Sequence, residues 1–403
     1  MKNEIYNTGA VLGFGARRWR VFALLRFVLI LGVVMLMASV ARGQWTVTQL
    51  TNNNYDELSP AVSGSNVVWY GHTSLDSGSS NLEIFLYDGS TTRQLTNDSD
   101  ADRHPQVSGS TVVWDSGDSG SRISCYNGLT TTQLPSNSQD DCDPQVSGPN
   151  VVWYGYDGHD YEIFRYDGST TTQLTNNDYD DRYPQISGST VAWYGYDGND
   201  KEIFYYDGST ITQLTNNSYD DYNPRLSGSN VVWYGSDGHD YEIFLYDGST
   251  TTQLTNNSYS DKDPQISGSN VVWWAPDGHD HEIFLYDGST TTQLTNNSYD
   301  DWYPEISGST VVWSGSDGYD YEIFLYDGST ITQLTNNSAY DTDPQISDST
   351  VVWRSRPGLL SGDFEIFMAT PEPAMLALLA AGLGAVWMGK KRGTKGLRDG
   401  VTA

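Results

Sequence analysis

The chain has 403 residues, enough for two or three ordinary domains, and a formal net charge of −30 at pH 7. Basic residues concentrate near its two ends, so the region from Trp45 to Thr370 carries ten basic and 48 acidic residues. Such a region repels nucleic acid and anionic membrane surfaces, and its abundant aromatic residues exclude a typical disordered acidic chain. We expect a soluble, folded domain that attracts divalent cations or basic partners.

Residues 1–43 are predicted to be a signal peptide. Basic residues precede an apolar run from Phe27 to Met37, and the small residues that follow offer cleavage sites ending at Ala41 or Gly43. An uncleaved membrane anchor is the alternative, but the apolar run is short and a cleavage site follows it. The sequence therefore predicts export, with signal peptidase as a processing partner.

From Gln44 to Thr370 one unit of about 40 residues is repeated. The tryptophan of its VVW or VAW segment lies at Trp69 and Trp114 in two looser copies. It then recurs at steps of 40, at Trp153, Trp193, Trp233, Trp273, Trp313 and Trp353. Each unit holds four short β-branched and aromatic segments bounded by turn sequences such as Ser-Gly-Ser, Asp-Gly and Asn-Asn-Ser. These segments predict antiparallel strands joined by hairpins, and none has the apolar spacing of a helix.

Four strands in about 40 residues are typical of one β-propeller blade. Trp45–Asn52 corresponds to a fourth strand and Pro344–Thr370 to the three strands before it, so the two ends would complete one blade and close the ring. Closure removes exposed strand edges. We predict an all-β, eight-bladed β-propeller over residues 44–370, with four-stranded blades; seven blades are the alternative, and a parallel β-helix is the rival architecture.

The repeats resemble the TolB-like and related propeller repeats of bacterial and archaeal surface proteins. The matching residues of one unit are Pro184, Ser187, Trp193, Asp197, Gly198, Glu202, Ile203, Leu214, Thr215 and Asn216. The resemblance covers roughly Gln44 to Thr370 and implies a propeller. The first hairpin is Ser-Gly-Ser where the typical motif has a longer Ser-Pro-Asp-Gly, so the resemblance implies the architecture and not the role of TolB.

Two cysteines, Cys125 and Cys142, are separated by 16 residues. In an exported protein they could form one disulfide that closes a short loop, or they could remain as unpaired thiols in one degenerate repeat. Both alternatives stay open, and nothing indicates a catalytic thiol.

The C-terminus contains the triplet Pro371, Glu372 and Pro373. An apolar run from Ala374 to Met388 and a basic cluster follow it. This order resembles the PEP-CTERM sorting signal of Gram-negative bacteria, over residues 371–392, with a basic tail at 393–403. The resemblance implies transient membrane insertion of a C-terminal helix, recognition of the triplet by an exosortase-type enzyme, and delivery to the cell surface or extracellular matrix. A generic C-terminal membrane anchor is the alternative.

The loop between the second and third predicted strands has the form Asp-Gly-His-Asp and offers paired carboxylates. These are Asp157, Asp160, Asp197, Asp200, Asp237, Asp240, Asp277, Asp280, Asp317 and Asp320. Further aspartates are expected nearby, in the loops between blades: Asp180, Asp181, Asp220, Asp221, Asp300 and Asp301. Calcium prefers oxygen ligands and is the candidate cofactor; the favoured alternative is that Asp-Gly only forms a tight turn. Zinc is not expected, because successive blades hold His159, His239 and His279 apart.

Four aromatic residues directly follow repeat tryptophans, which we expect to be buried between blades. They are Tyr154, Tyr194, Tyr234 and Trp274. We expect them to reach the loops, where rings beside acidic or amide groups suit the faces of sugars. The alternative is that they are ordinary residues of tyrosine-rich loops.

No catalytic residues are predicted, because the middle repeats are near copies and an enzyme needs different residues in fixed roles. No Gly-x-Ser-x-Gly, phosphate-loop or His-Glu-x-x-His motif occurs. We therefore expect a non-enzymatic, exported binding or adhesion scaffold, with extracellular polysaccharide or surface proteins as partners. The alternatives are a carbohydrate-active hydrolase or lyase that works from the divergent first, second and last repeats, and a purely structural matrix protein.

Overall fold

The computed structural model describes residues 45–73, 82–118, 120–136, 138–358 and 362–372. The predicted signal peptide and most of the predicted sorting signal, with the basic tail, lie outside these ranges. The compact unit Thr46–Thr370 is all-β. Within the described ranges no helix is long and apolar enough to span a membrane.

The first four blades are four-stranded sheets whose consecutive strands are neighbours. Blade 1 contains β2 (Glu57–Ser63), β3 (Asn66–His72), β4 (Leu82–Tyr87) and β5 (Thr92–Gln94). Blade 2 contains β6 (Asp102–Ser108), β7 (Thr111–Ser116), β8 (Arg122–Tyr126) and β9 (Thr131–Gln133). Blade 3 contains β10 (Gln139–Ser147), β11 (Asn150–Tyr156), β12 (Tyr161–Tyr166) and β13 (Thr171–Gln173). Blade 4 contains β14 (Asp181–Ser187), β15 (Thr190–Tyr196), β16 (Lys201–Tyr206) and β17 (Ile211–Gln213).

The next three blades repeat this order. Blade 5 contains β18 (Asp221–Ser227), β19 (Asn230–Ser236), β20 (Tyr241–Tyr246) and β21 (Thr251–Gln253). Blade 6 contains β22 (Lys262–Ser267), β23 (Asn270–Pro276), β24 (His281–Tyr286) and β25 (Thr291–Gln293). Blade 7 contains β26 (Asp301–Ser307), β27 (Thr310–Ser316), β28 (Tyr321–Tyr326) and β29 (Ile331–Gln333).

Blade 8 combines strands from the two ends of the propeller. It contains β30 (Tyr340–Ser347), β31 (Thr350–Arg356), β32 (Glu365–Pro371) and, outermost, β1 (Trp45–Gln49). The amide of Leu50 donates to the carbonyl of Ile366 at 2.8 Å, which ties the two ends together. The predicted eight blades and closure by the N-terminal strand are confirmed, and the alternative of seven blades is excluded.

The ring is closed on its inner side and at one end. The first strands of successive blades contact each other all the way round, including β30 with β2. The hairpins between first and second strands are also linked, because a serine hydroxyl of one blade accepts from the next hairpin, as Ser147 Oγ does from Gly188 N at 2.9 Å. The cycle closes where Gly64 N donates to Ser347 Oγ at 3.0 Å. We call this end the hairpin face, and the opposite end, which carries the loops between second and third strands and between blades, the loop face.

The second strand of each blade is buried on both sides because neighbouring sheets cover both of its faces. In blade 4, Val191, Ala192 and Trp193 are all fully buried. Trp193 stacks on Phe204 of the third strand, with ring centroids 5.8 Å apart. This explains why VVW is apolar at adjacent positions rather than alternating, and it confirms that the repeat tryptophans belong to the core.

The two cysteines are free thiols on different blades. Cys125 lies on β8 and is buried, whereas Cys142 lies on β10. Burial raises the pKa of the Cys142 thiol to about 11, which disfavours the reactive thiolate form at neutral pH. Of the two alternatives for the pair, the structure shows unpaired thiols.

Candidate functional sites on the loop face

The loop between second and third strands is a tight turn stabilised by its first aspartate. In blade 4 the amide of Asp197 donates to the carbonyl of Asp200 at 3.1 Å, and Asn199 N donates to Asp197 Oδ1 at 2.9 Å. Gly198 adopts a φ of 108°, which disfavours any other residue there. The same aspartate-capped turn occurs at Asp157, Asp237, Asp277 and Asp317. The first aspartate of each predicted pair therefore has a structural role in its turn.

The second aspartate of each pair lies beside a glutamate that sequence reasoning did not assign to the site. Asp200 ends the turn and Glu202 is two residues further along, so both side chains point to the same side of the strand. Three carboxylates per blade then converge, with one oxygen of each within 4.8 Å of the others. We call these groups the acidic triads: Asp157, Asp160 and Glu162; Asp197, Asp200 and Glu202; Asp237, Asp240 and Glu242; Asp277, Asp280 and Glu282; Asp317, Asp320 and Glu322.

Each triad contains buried carboxylate oxygens without a partner. Glu202 is 0% exposed, and its Oε1 accepts from Asn217 N at 2.8 Å. Its Oε2 and the Oδ1 of Asp200 are buried without a hydrogen bond, and the equivalent two atoms lack one in all five triads. Burial raises the pKa of Glu162, Glu242 and Glu322 to about 7. The ionised, negatively charged form of these glutamates is therefore unfavourable in the protein without a bound ligand.

The histidines of these turns lie outside the triads. The side chains of His159 and His239 are 90% and 88% exposed and approach only the first aspartate, at 3.9 Å and 3.7 Å. His281, two residues beyond the His279 turn, instead contacts Asp300 and the indole of Trp302. No arrangement of these imidazoles converges on a shared point in the described residues.

The aspartates between blades divide into two structural classes, which corrects their assignment to one acidic cluster. Asp181 is 3% exposed and accepts from Trp193 Nε1 at 2.8 Å and from Asn177 Nδ2 at 2.7 Å. Asp221 and Asp301 bind the tryptophans of their own blades in the same way. These three are core residues, whereas the preceding Asp180, Asp220 and Asp300 are at the surface of the loop face and bind backbone amides.

The four predicted aromatic residues are packed between blades rather than free on the loops. Tyr154 is only 7% exposed, and its ring lies 5.3 Å from that of Tyr183 in the next blade. Tyr194 stacks on Tyr183 of its own blade, with ring centroids 5.5 Å apart. Tyr234 stacks on Tyr222 at 5.6 Å, and Trp274 lies 4.6 Å from Trp302. The expectation that these four rings are available to sugars is therefore wrong for Tyr154, whose ring is covered.

In β10 Asp140 has a φ of 48°, and in addition the first strand of every blade carries a residue in a strained conformation near the loop face, directly before its proline. These eight residues have φ between 48° and 53°: Ser59, His104, Asp143, Tyr183, Asn223, Asp263, Tyr303 and Asp343. A left-handed conformation costs a non-glycine residue roughly 1–2 kcal/mol, and each of these residues precedes a proline. Because the first strands form the inner wall of the propeller, the eight residues form a circle, which we call the axial ring.

The axial ring is the part of the molecule in which the repeats differ most. Neighbouring members contact each other: Asn223 Nδ2 donates to Asp263 Oδ1 at 3.0 Å, and His104 Nδ1 lies 3.5 Å from Asp143 Oδ1. Tyr183 and Tyr303 are 44% and 53% exposed. Sequence reasoning missed this ring, although a signal was present, because the two residues before the constant proline vary in units that are otherwise nearly identical.

One side of the axial ring gathers acid–base groups. His104 Nδ1 lies 3.1 Å from Asp115 Oδ2, and this hydrogen bond raises the pKa of His104. On the blade 8 side, Arg354 forms an ion pair with Asp343. Asp115 in blade 2 and Arg354 in blade 8 occupy the position that Tyr194 has in blade 4. These two divergent blades therefore have a charged side chain where blade 4 has an aromatic ring.

A second layer of polar side chains lines the first strands below the axial ring. Gln265 Nε2 donates to Glu305 Oε1 at 3.0 Å, and Gln345 Nε2 donates to the same oxygen at 3.3 Å. Arg225 Nε donates to Gln265 Oε1 at 3.1 Å, which continues the chain of contacts to blade 5. Burial raises the pKa of Glu305 to about 7.

Comparison with known proteins identifies the fold. No protein-family model and no curated protein matches the chain. The β-propeller domain of the Trilobed protease from Pyrococcus furiosus, described as having an open velcro topology, is 12% identical over 71% of this chain and 97% of its own, with a TM-score of 0.52. The computationally designed Ika8 protein is 18% identical over 79% of this chain and 98% of its own, with a TM-score of 0.54.

A prolyl endopeptidase is a further match, and this chain covers only 53% of its length. It is 11% identical over 75% of this chain, with a TM-score of 0.52. At such identities these similarities show the propeller fold alone. The fold by itself does not specify an activity.

Proposed function

We propose that this protein is an exported binding or adhesion propeller of the cell surface or extracellular matrix, and that it binds polysaccharide over the axial ring. The observation that carries this proposal is the axial ring itself: eight side chains of five different types lie at one end of an otherwise repetitive molecule, in strained conformations. Strained backbone concentrates at functional sites. Exposed rings at Tyr183 and Tyr303, beside carboxylate and amide groups, suit stacking on sugar faces with hydrogen bonds to hydroxyl groups.

The charge of the propeller sets the class of polysaccharide. Since residues 45–370 carry a large excess of acidic residues, uronate-rich chains are repelled and neutral or amino-sugar chains are accepted. Dextran, chitosan and alginate are suitable neutral, cationic and anionic probes. We expect the full chain, purified in mild detergent, to bind dextran or chitosan in a surface plasmon resonance measurement and not alginate.

The variant that tests the site replaces both exposed rings of the axial ring. Tyr183→Ala with Tyr303→Ala should weaken binding of the same probe by about tenfold or more, because each lost stack is worth on the order of 1 kcal/mol. Tyr319→Ala is the matched control, since Tyr319 is 96% exposed on the loop face but lies in a peripheral turn. Equal weakening of probe binding in the double variant and in the control, or no binding to any of the three probes, would contradict the proposed site.

The enzymatic alternative has one observation in its favour, the cluster of His104, Asp115 and Asp143. A histidine whose pKa is raised by its hydrogen bond with Asp115 could act as a general acid on a glycosidic bond. Release of reducing ends from a bound polysaccharide, lost in His104→Gln, would favour this hydrolase or lyase over the binding protein. We expect no such release.

Export and sorting are proposed from the two ends of the chain. In a Gram-negative host with an exosortase system, we expect the mature protein to lack residues 1–43 and the C-terminal helix. Pro373→Ala should leave the tail attached and the protein in the membrane fraction, as measured by intact mass. Lys395→Ala, in the basic tail, is the control. A mass and a location unchanged by Pro373→Ala would contradict sorting through the triplet.

A further inference from the structure

We propose that each of the five acidic triads binds one Ca²⁺ ion, with the second aspartate and the glutamate as its principal protein ligands. This goes beyond the polysaccharide site, because the triads lie in peripheral loops of blades 3 to 7 and the axial ring lies on the inner strands. The first aspartate supplies an oxygen from the turn that it also stabilises.

The unpartnered oxygens are the first argument for a bound cation. In blade 4, Glu202 Oε2 and Asp200 Oδ1 are buried without a hydrogen bond, and the same two atoms are orphaned in every triad. One oxygen of each carboxylate in a triad lies within 4.8 Å of the others. Native proteins seldom leave buried polar atoms unpaired, and two neighbouring carboxylates repel each other. Among the described residues no lysine or arginine forms an ion pair with a triad member. A cation between the two groups removes both penalties at once.

In blade 2 the protein itself supplies a positive charge at the position of the triad glutamate. Arg122 pairs with Ser116 in the register where Glu202 pairs with Gly195, so it occupies the position of the glutamate. Its NH1 donates to the carbonyl of Ser138 at 2.7 Å and lies 3.9 Å from Asp141 Oδ2. This blade has no triad, and a guanidinium lies where blades 3 to 7 have an unsatisfied carboxylate.

Blade 1 is another of the three blades in which no triad is formed by the described residues. Its glutamate, Glu83, is present, but the sequence has Asn81 where the triads have their second aspartate. Here Glu83 Oε2 accepts from Thr96 Oγ1 at 2.6 Å and has a partner. The carboxylate is thus satisfied inside the protein in a blade that lacks the neighbouring aspartate.

The donor atoms and the access route select the ion. The triads offer only carboxylate oxygens, with turn carbonyls nearby, which suits a hard cation and not zinc. Ca²⁺ tolerates irregular geometry and accepts water in its remaining positions, whereas Mg²⁺ demands a near-ideal octahedron. The route is open: a depression beside the blade 6 triad is lined by Asp277, Asp280, His279 and Tyr299, among others.

The test is the number of bound ions. Isothermal titration of the full chain with CaCl₂, against a background of MgCl₂, should give about five saturable sites. Each substitution of a second aspartate by asparagine, the residue that blade 1 has at this place, should remove one site. The positions are Asp160, Asp200, Asp240, Asp280 and Asp320.

The matched control removes the same charge elsewhere. Aspartate to asparagine at five turns between third and fourth strands leaves the triads intact and lowers the charge equally; these are Asp167, Asp207, Asp247, Asp287 and Asp327. The control should retain about five sites. Non-saturable binding, or the same loss in both series, would show that calcium only neutralises a diffuse acidic surface and would overturn the proposal. If the fivefold variant fails to fold, single variants such as Asp200→Asn still test the loss of one calcium site. Polysaccharide binding is measured separately, so that a failure of one proposal can be distinguished from a failure of the other.

Discussion

At the scale of single residues, the buried aspartate that binds the core tryptophan in blades 2 to 8 is more important for the fold than its exposed neighbour. Asp181 joins the core tryptophan to Asn177, and Asn177 N in turn donates to Glu162 Oε1 at 2.8 Å. Gly195 is required opposite it, because a Cβ at that position would overlap the Asp181 carboxylate. The Asn-Asn motif of each repeat therefore links two blades through hydrogen bonds to buried carboxylates.

Asp181→Ala should lower the free energy of unfolding by about 2–3 kcal/mol, because it leaves the Trp193 indole and the Asn177 amide without acceptors in the core. Asp178→Ala is the control; this exposed aspartate is three residues earlier and should change stability by less than about 0.5 kcal/mol. Guanidinium unfolding followed by tryptophan fluorescence measures both. Equal effects would mean that the buried network contributes nothing beyond charge.

Glu305 should make stability depend on pH. Its pKa is raised to about 7 in the folded protein from a value of 4.5, so between these values the folded state holds the proton that the unfolded state loses. Stability therefore falls as pH rises through this window. Its neighbours Arg225, Gln265 and Gln345 moderate the effect but do not reverse it.

Glu305→Gln should reduce the loss of stability between pH 5 and pH 8 by about 2 kcal/mol, since about 1.4 kcal/mol corresponds to each pKa unit and the site is partly solvated. Urea unfolding at the two pH values, in the wild type and in the variant, gives the difference. The same pH dependence in both proteins would mean that Glu305 titrates as an ordinary exposed carboxyl group.

At the scale of elements, the bulged first strand is the unusual part of the blade. Every blade has a register shift before its proline, as between Arg182 and Gln185, and a residue with positive φ within it. The regular ladder resumes directly after the proline, so the interruption is confined to the proline and the axial-ring residue before it. The strain is thus repeated eight times and tolerated because ring closure fixes the inner strands.

Ser59 is suited to test this strain because its side chain is small and exposed. Ser59→Gly should raise the free energy of unfolding by about 0.5–1 kcal/mol, since glycine adopts positive φ without steric cost. Ser59→Val should lower it by about 1–2 kcal/mol, since a β-branched side chain clashes in this conformation. Changes of the same sign in both variants would mean that the bulge is relaxed in solution. Thermal unfolding provides the measurement.

The fold could be predicted from the sequence, and the candidate sites could be predicted only in part. The step of 40 and the turn residues fix four strands per unit, and the partial units at the two ends fix closure. The location of Tyr154 could not be inferred, because its burial depends on Tyr183 of the next blade. Asp180 is exposed in the loop between blades, whereas Asp181 is buried at the start of β14. This difference depends on the residue at which the strand begins, which the sequence pattern does not specify. Glu202 was noted as a repeated residue, but its convergence with Asp200 became apparent only from the register of the second and third strands.

At the scale of the whole molecule, β1 differs from every other outer strand. The fourth strands of blades 1 to 7 follow their third strands through a short hairpin, whereas β1 belongs to blade 8 only through non-covalent pairing. The closure of the ring through blade 8 therefore depends on this strand, in addition to the contacts between the inner strands of blades 8 and 1.

Val47→Pro, in β1, should destabilise the protein by about 2 kcal/mol more than Thr212→Pro, in β17 of blade 4. Both prolines interrupt an outer strand, and proline is unfavourable in a strand ladder. Only Val47→Pro also opens the ring. Differential scanning calorimetry compares them, with hydrogen exchange to locate the opening, which should begin at β32 and β30. Equal effects would show that the ring is held by its inner strands alone.

The closure of blade 8 also places both ends of the propeller on one face. Because β32 runs away from the loop face and β1 runs toward it, the chain enters and leaves the propeller at the hairpin face, through adjacent strands. The axial ring therefore lies at the opposite end of the propeller from the start of β1 and the end of β32. Several copies in a common orientation would offer their rings together, which is the arrangement that multivalent contact with a long polymer requires.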